Sequence, residues 1–104
     1  MEKLSSNQFK SEVLESNIPV VLDFFASWCR PCMQLHPVLD KLSKEYDGKC
    51  KFFKVDVDAE PELTEQYLIS SIPVLLFFSN GKIKKKMVGF NKEDDIKKII
   101  DDLL

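Results

Sequence analysis

The order of elements in this 104-residue sequence predicts an α/β fold, a three-layer α/β/α sandwich with a central mixed β-sheet. Three observations carry that expectation. Two apolar runs, Val20 to Ala26 and Val74 to Phe78, are too short for core helices and read as strands buried on both faces. Stretches with apolar residues at three- and four-residue steps lie between and after them, as in helices that cover a sheet. Asn80-Gly81, between two strand-like segments, is a two-residue hairpin turn and makes the last strand pair antiparallel.

Taken in chain order, a very short first strand is followed by Ser5-x-x-Gln8, a capping-box pattern. Phe9, Val13 and Leu14 follow at helical spacing and predict a first helix. Val20 to Ala26 is the central strand, and Asp23 is its one carboxylate. Cys32, Leu35, Leu39, Leu42 and Tyr46 then mark one face of a long helix that Pro37 should kink, because proline supplies no amide hydrogen. Gly48 ends the connection, Cys50 to Asp56 reads as a strand, and Pro61 to Leu68 as a shorter helix with an acidic first turn. Val74 to Phe78 and Lys82 to Val88 form the hairpin. The last helix buries Ile96, Ile99, Ile100 and Leu103 and begins near Asp94 and Asp95. The order β-α-β-α-β-α-β-β-α has crossovers early and a hairpin late.

Composition narrows the function classes. With 44% hydrophobic and 31% charged residues, the chain has the apolar content of one compact domain, residues 1–104. No repeat, low-complexity tract or linker divides it. A formal net charge of -2 speaks against nucleic acid, whose phosphates require a positive face. The one basic cluster, Lys82, Lys84, Lys85 and Lys86, reads first as an edge strand guarded against edge-to-edge pairing, and only second as a patch for an acidic partner. No stretch has the length of a secretory core or a membrane span, so the expected place of work is the cytoplasm and no membrane contact is expected. The default state is a monomer.

Chemistry concentrates at Trp28-Cys29-Arg30-Pro31-Cys32, where a buried strand gives way to a long helix. Two sulfurs three residues apart on one turn can reach each other without rearranging the backbone. A helix start supplies free amide hydrogens and the positive dipole end, both of which favour a thiolate over a thiol. A free thiol titrates near about 8.5, so a small downward shift makes it reactive at neutral pH. Cys29, nearest the helix start, gains most and is the expected nucleophile. Cys32, one turn in, is placed to wait as the resolving thiol. Asp23 stands in an apolar strand, and a carboxylate there is costly unless it serves a purpose.

Together with distant residues in the right order, this motif resembles the thioredoxin family over essentially the whole chain. The matching residues are Asp23-Phe24, Ala26, Trp28-Cys29, Pro31-Cys32, Pro37, Lys54, Asp58, Ile72-Pro73, Asn80-Gly81 and Gly89. That family is itself a standard instance of a Cys-x-x-Cys pair with a lowered thiol pKa, so the lowering is not independent of the resemblance. The resemblance implies a protein-disulfide reductase: Cys29 attacks a partner's disulfide, and Cys32 then attacks the Cys29 sulfur and frees the reduced partner. It implies that Asp23 has a raised pKa and manages the proton of Cys32, and that Lys54 pairs with Asp23. It implies a cis Ile72-Pro73 peptide lying against the cysteines. Trp28, Pro31, Ile72, Pro73 and Gly89, with Arg30 beside them, would form the groove for a partner's extended chain. The resemblance also implies re-reduction by a separate thioredoxin reductase drawing on NADPH; the chain itself has no glycine-rich dinucleotide motif, and no cofactor is expected because the sulfurs carry both electrons.

Four positions depart from the family pattern. Arg30 stands where glycine is usual and adds a cation between the cysteines, which should stabilise the Cys29 thiolate and make the pair more oxidising. Met33 replaces a frequently basic residue, Phe25 a frequent tryptophan, and Val74 a frequent threonine.

Plainer readings stand beside these. The cysteines could be small buried hydrophobes or half of a metal site. A zinc site needs four ligands, and only His36 and Cys50 could join the pair, with Cys50 on a different strand. His36, one turn after Cys32, could tune its proton transfer, although helix packing describes it equally simply. Cys50 reads as a buried strand residue. Asp23 could be satisfied by Lys54 alone, Lys54 could merely extend to solvent, and Trp28 could be packing. Two other functions fit the same motif: a thioredoxin-fold binding subunit or chaperone that docks partners without turnover, and a disulfide-forming oxidant, for which Arg30 is the only hint.

Overall fold

The computed structural model describes all of residues 1–104. Five strands form one sheet: β1 (Glu2–Lys3), β2 (Val20–Phe25), β3 (Lys51–Asp56), β4 (Val74–Ser79) and β5 (Lys82–Val88), in the spatial order β1-β3-β2-β4-β5. β1, β3 and β2 run parallel, while β4 is antiparallel to both of its neighbours, so the sheet is mixed. Three helices accompany it: α1 (Arg30–Glu45), α2 (Pro61–Gln66) and α3 (Glu93–Leu103).

β2 is central, with all six residues buried, because both faces of the sheet are covered. Its alternating side chains feed two cores. Val20, Leu22 and Phe24 pack with Leu4, Phe9, Val13, Val55, Leu63 and Phe78 under the N-terminal turns and α2. Val21 packs with Leu35, Leu39, Leu42, Phe77, Ile96 and Ile100 under α1 and α3. Full burial of each Leu, Ile or Phe contributes about 1.5–3 kcal/mol before the loss of chain entropy is set against it. Pro37 lies inside α1, which continues through it to Glu45.

The sequence-based expectations fail at two helices. The segment after β1 is not a regular α-helix but a 3-10 turn (Ser6–Gln8) followed by a π-helical turn (Lys10–Leu14), closed by Glu15 N–H to the Lys10 carbonyl at 2.9 Å. Gln8 Oε1 does accept from Ser5 N–H at 3.0 Å, as the capping pattern requires. The wider turn keeps Phe9 and Val13 in the core but carries Leu14 out to 39% exposure. α2 stops at Gln66, short of Leu68. Tyr67 turns inward to pack on Phe9 and Phe78, and Leu68 takes a left-handed backbone conformation, φ 54°, that points it to solvent at 80% exposure. In α3 only Ile96 and Ile100 are fully buried, with Ile99 and Leu103 packed at the margin.

The hairpin turn behaves as its sequence requires: Asn80 and Gly81 both have positive φ, 53° and 76°. A Cβ at Gly81 would lie 2.7 Å from the Leu14 carbonyl oxygen, whereas one at Gly48, φ 80°, would meet nothing within 4 Å. Gly48→Ala should therefore cost about 1–2 kcal/mol, from backbone strain alone, and Gly81→Ala visibly more. Urea midpoints measure both; equal losses would mean that the Leu14 carbonyl gives way freely.

Candidate active site

β2 ends at Phe25 and α1 begins at Arg30, and Cys29 is the residue that caps the helix. Its backbone is extended, φ -90° and ψ 109°, and its sulfur accepts the Cys32 N–H at 3.3 Å. Pro31 occupies the first turn, where an amide hydrogen would have no helical partner in any case. Cys29 and Cys32 are joined as a disulfide with their Cα atoms 5.3 Å apart, inside the range such a bridge requires. The pair is asymmetric. Cys29 is 6% exposed and Cys32 is 0% exposed, so an incoming sulfur can reach only the first.

Around the pair, Phe25, Ala26, Val57 and Ile72 make a small apolar cluster of their own. The Ile72-Pro73 peptide is cis, and the Ile72 carbonyl oxygen lies 3.9 Å from the Cys29 sulfur. Gly89, at φ 82°, donates its N–H to the Pro73 carbonyl at 2.8 Å and so ties the end of β5 to that loop. Trp28 is 70% exposed, and its indole N–H donates to Asp58 Oδ2 at 2.9 Å. Arg30 and Pro31 are exposed on the first turn of α1. Val88 and Phe90, on either side of Gly89, are exposed as well. Neither belongs to the groove expected from the sequence, where their only signal is that they are apolar residues flanking Gly89 at an edge strand. The cysteines open on a shallow face; a concavity of about 490 Å³ lies elsewhere, among Lys84, Lys98 and Asp102 between β5 and α3.

Asp23 lies beneath this face, fully buried. Burial pushes its carboxyl above the ordinary carboxylate value; the neighbouring His36 imidazole, and then Lys54, pull it partly back, while Asp40 pushes it up. The expected Asp23–Lys54 pair does not form. The register does align the two residues across β2 and β3, but the Lys54 ammonium lies over the Phe25 ring, 5.7 Å from its centroid. There it stays half exposed and escapes the cost of burying an ammonium group. His36 takes the place instead, with Nε2 2.9 Å from Asp23 Oδ2 and its ring edge-on to Phe25 at 4.8 Å. The angles of that contact fall outside those of a directed hydrogen bond. Cys50 sits apart, in the α1/α3 core with Tyr46 and Phe52, and burial pushes its thiol up to about 12. It is no rival nucleophile.

A capping cysteine whose sulfur takes a helix amide, disulfide-bonded to a wholly buried partner on a mixed sheet, defines a dithiol/disulfide oxidoreductase. The thioredoxin family model matches residues 1–102. The chain is 41% identical over 93 residues to a thioredoxin of Rickettsia felis, covering 89% of each chain. It is 42% identical over 87 residues to thioredoxin 1 of a Nostoc species, 84% of this chain and 81% of that one. Against the chloroplastic thioredoxin M4 of Arabidopsis thaliana the identity is 37% over 101 residues, 97% of this chain and 52% of the relative. The chain belongs to the thioredoxin family, and its activity is thiol–disulfide exchange in the direction of disulfide reduction.

Two measurements follow from this geometry. The Asp23 pKa is raised in the fold, so the folded state holds the proton more tightly than the unfolded chain. The stabilising contribution is then complete below the ordinary value of 3.8 and is lost as pH rises through the folded value. Asp23→Asn should abolish that decline; denaturant titrations across pH showing the same slope in both proteins would refute the burial argument. Arg30, an exposed cation one residue from the Cys29 sulfur, should stabilise the thiolate by no more than a surface charge can. Arg30→Gly should make the pair more reducing by about 5–20 mV. Equilibration with glutathione measures it, and no difference, or a shift to more oxidising, rejects the idea.

Proposed function

We propose that this chain is a general protein-disulfide reductase, one domain over residues 1–104, in which Cys29 is the nucleophile and Cys32 the resolving thiol. The single observation behind that order is the contrast at the helix start: the Cys29 sulfur takes the Cys32 N–H at 3.3 Å and Cys29 keeps 6% exposure, while Cys32 has none. An amide hydrogen bond and the positive end of α1 favour the Cys29 thiolate. Attack on a partner's disulfide joins Cys29 to one partner sulfur and releases the other as a thiolate. Cys32 gives up its proton to the Asp23 carboxylate, and its sulfur displaces the remaining partner sulfur from Cys29. Two electrons pass to the partner, and the chain is left with its own disulfide. The sulfurs carry the electrons, so the exchange needs no bound cofactor.

The partner's chain would lie across Trp28, Arg30, Pro31, Ile72, Pro73 and Gly89. The shallow face suits an extended segment better than a small molecule. Trp28 offers a flat apolar wall fixed by Asp58, and the Ile72 carbonyl beside Cys29 offers a backbone acceptor. Lys54 acts on this site only through its field on Asp23. NADPH, through a separate thioredoxin reductase, would restore the dithiol. In this reading the chain works in the cytoplasm as a monomer that carries electrons for redox homeostasis; no helix is long and apolar enough to cross a membrane.

Single substitutions of the two sulfurs test the order. Cys29→Ser should reduce turnover on a disulfide-bonded test protein to background, and Cys32→Ser should accumulate a stable mixed disulfide through Cys29. A mixed disulfide accumulating on Cys32 in the Cys29→Ser protein, with reduction intact, would reverse the assignment.

A further inference from the structure

His36 stands one helical turn after Cys32 on α1, and on the same side. Its Nε2 is 2.9 Å from Asp23 Oδ2, and its side chain is 14% exposed where that of Asp23 is 0% exposed. It therefore both touches the buried carboxyl and reaches water. The contact is not a directed hydrogen bond, and neither Asp23 oxygen has a hydrogen-bond donor among the protein groups in the oxidised form. A buried carboxyl in that condition has capacity to take up a proton. We propose that His36 is a positioning residue for disulfide exchange: it keeps Asp23 ionised until Cys32 must lose its proton, and then carries that proton to the surface.

This rests on the reading that Asp23 handles the Cys32 proton. Within the mixed disulfide, Cys32 Sγ–H passes its proton to the Asp23 carboxylate; the His36 imidazolium, which until then held that carboxylate ionised, releases a proton to water, and Asp23 passes its own to the freed Nε2. The Cys32 sulfur bonds to Cys29 Sγ, the bond from Cys29 to the partner sulfur breaks, and that sulfur leaves as a thiolate. The proton ends on an imidazole open to water. Histidine is the side chain suited to such exchange near neutral pH.

The other groups facing Asp23 do not replace it. From α1, Asp40 opposes ionisation, and its own carboxylate is engaged by the Met1 ammonium at 2.9 Å. From β3, Lys54 favours ionisation but lies over Phe25. From β4, the residue paired with Asp23 is the apolar Leu75. Removing the imidazole takes away the closest influence that opposes burial, so more of Asp23 is protonated at any pH near neutrality and cannot accept from Cys32.

The resolving step can be isolated by mixing the reduced protein with excess Ellman's reagent. The fast release reports attack by Cys29, and the slower, concentration-independent release reports closure by Cys32. His36→Gln should slow the second phase near neutral pH on the order of tenfold, at the low end of what positioned proton transfer contributes, with recovery as pH rises and the first phase unchanged. His36→Lys, which keeps a cation beside Asp23, should return the pH dependence toward wild type. Superimposable second-phase profiles for wild type and His36→Gln, or equal loss in the Gln and Lys variants, overturn the proposal. Asp23→Asn separates the two readings. If it alters the profile while His36→Gln does not, only the role of His36 fails; if it leaves the profile unchanged, the Asp23 reading and this one fail together. Should His36→Gln not fold, His36→Asn takes its place, with the same expected slowing of the second phase and the same superimposable profiles overturning the proposal.

Discussion

The Cys32 N–H points at the Cys29 sulfur from 3.3 Å because a buried strand stops at Phe25 and a helix starts at Arg30. That junction makes one cysteine a helix cap and the other a core residue. The cap sulfur meets an amide with no partner inside the helix, and the core sulfur is sealed by apolar neighbours. Two identical side chains acquire different chemistry with no residue between them altered. Rigidity at the junction comes from below: β2 is buried along its whole length, and Leu35, Leu39 and Leu42 fasten α1 to the sheet.

Against that apolar background Asp23 is an expense. An ionised carboxylate at zero exposure costs several kcal/mol, and the charges near it return only part of that. His36 is close but poorly directed, Lys54 is half-way to solvent, and Asp40 works in the opposite sense. A chain under pressure for stability alone would place leucine there. An acid whose burial favours the protonated form fits the role proposed above, in which its protonation changes as the sulfurs exchange, and that is the pattern that sets buried active-site acids apart from structural ion pairs.

The rim of the site is assembled from three separated parts of the chain, each held by one specific contact. Trp28 is held by Asp58 from beyond β3, Pro73 by the Gly89 amide at the end of β5, and the Ile72 carbonyl lies over Cys29. The lysines of β5 occupy an edge of the sheet, with exposed side chains along the strand. Charge there disfavours pairing with a second edge.

Local pattern was enough for the strands, the hairpin and the cysteine motif. A run such as Val74 to Phe78 has one economical use, a turn such as Asn80-Gly81 has one backbone solution, and Trp28-Cys29-Arg30-Pro31-Cys32 can be read without knowing what lies around it. Pattern failed at Leu14 and Leu68, where turn geometry and the packing of Tyr67 decided which apolar side chain faced inward. It failed also at Lys54: the strands align it with Asp23, but register aligns Cα atoms and says nothing about where a flexible ammonium comes to rest. That His36, and not Lys54, meets Asp23 depends on how α1 lies across β2, a relation between elements distant in sequence. Short-range residue chemistry thus determined the sheet, the fold class and the reactive pair, because their signals are complete within a few residues. The surroundings of the buried acid were decided only in three dimensions, because burial and ion contact are set by long-range packing.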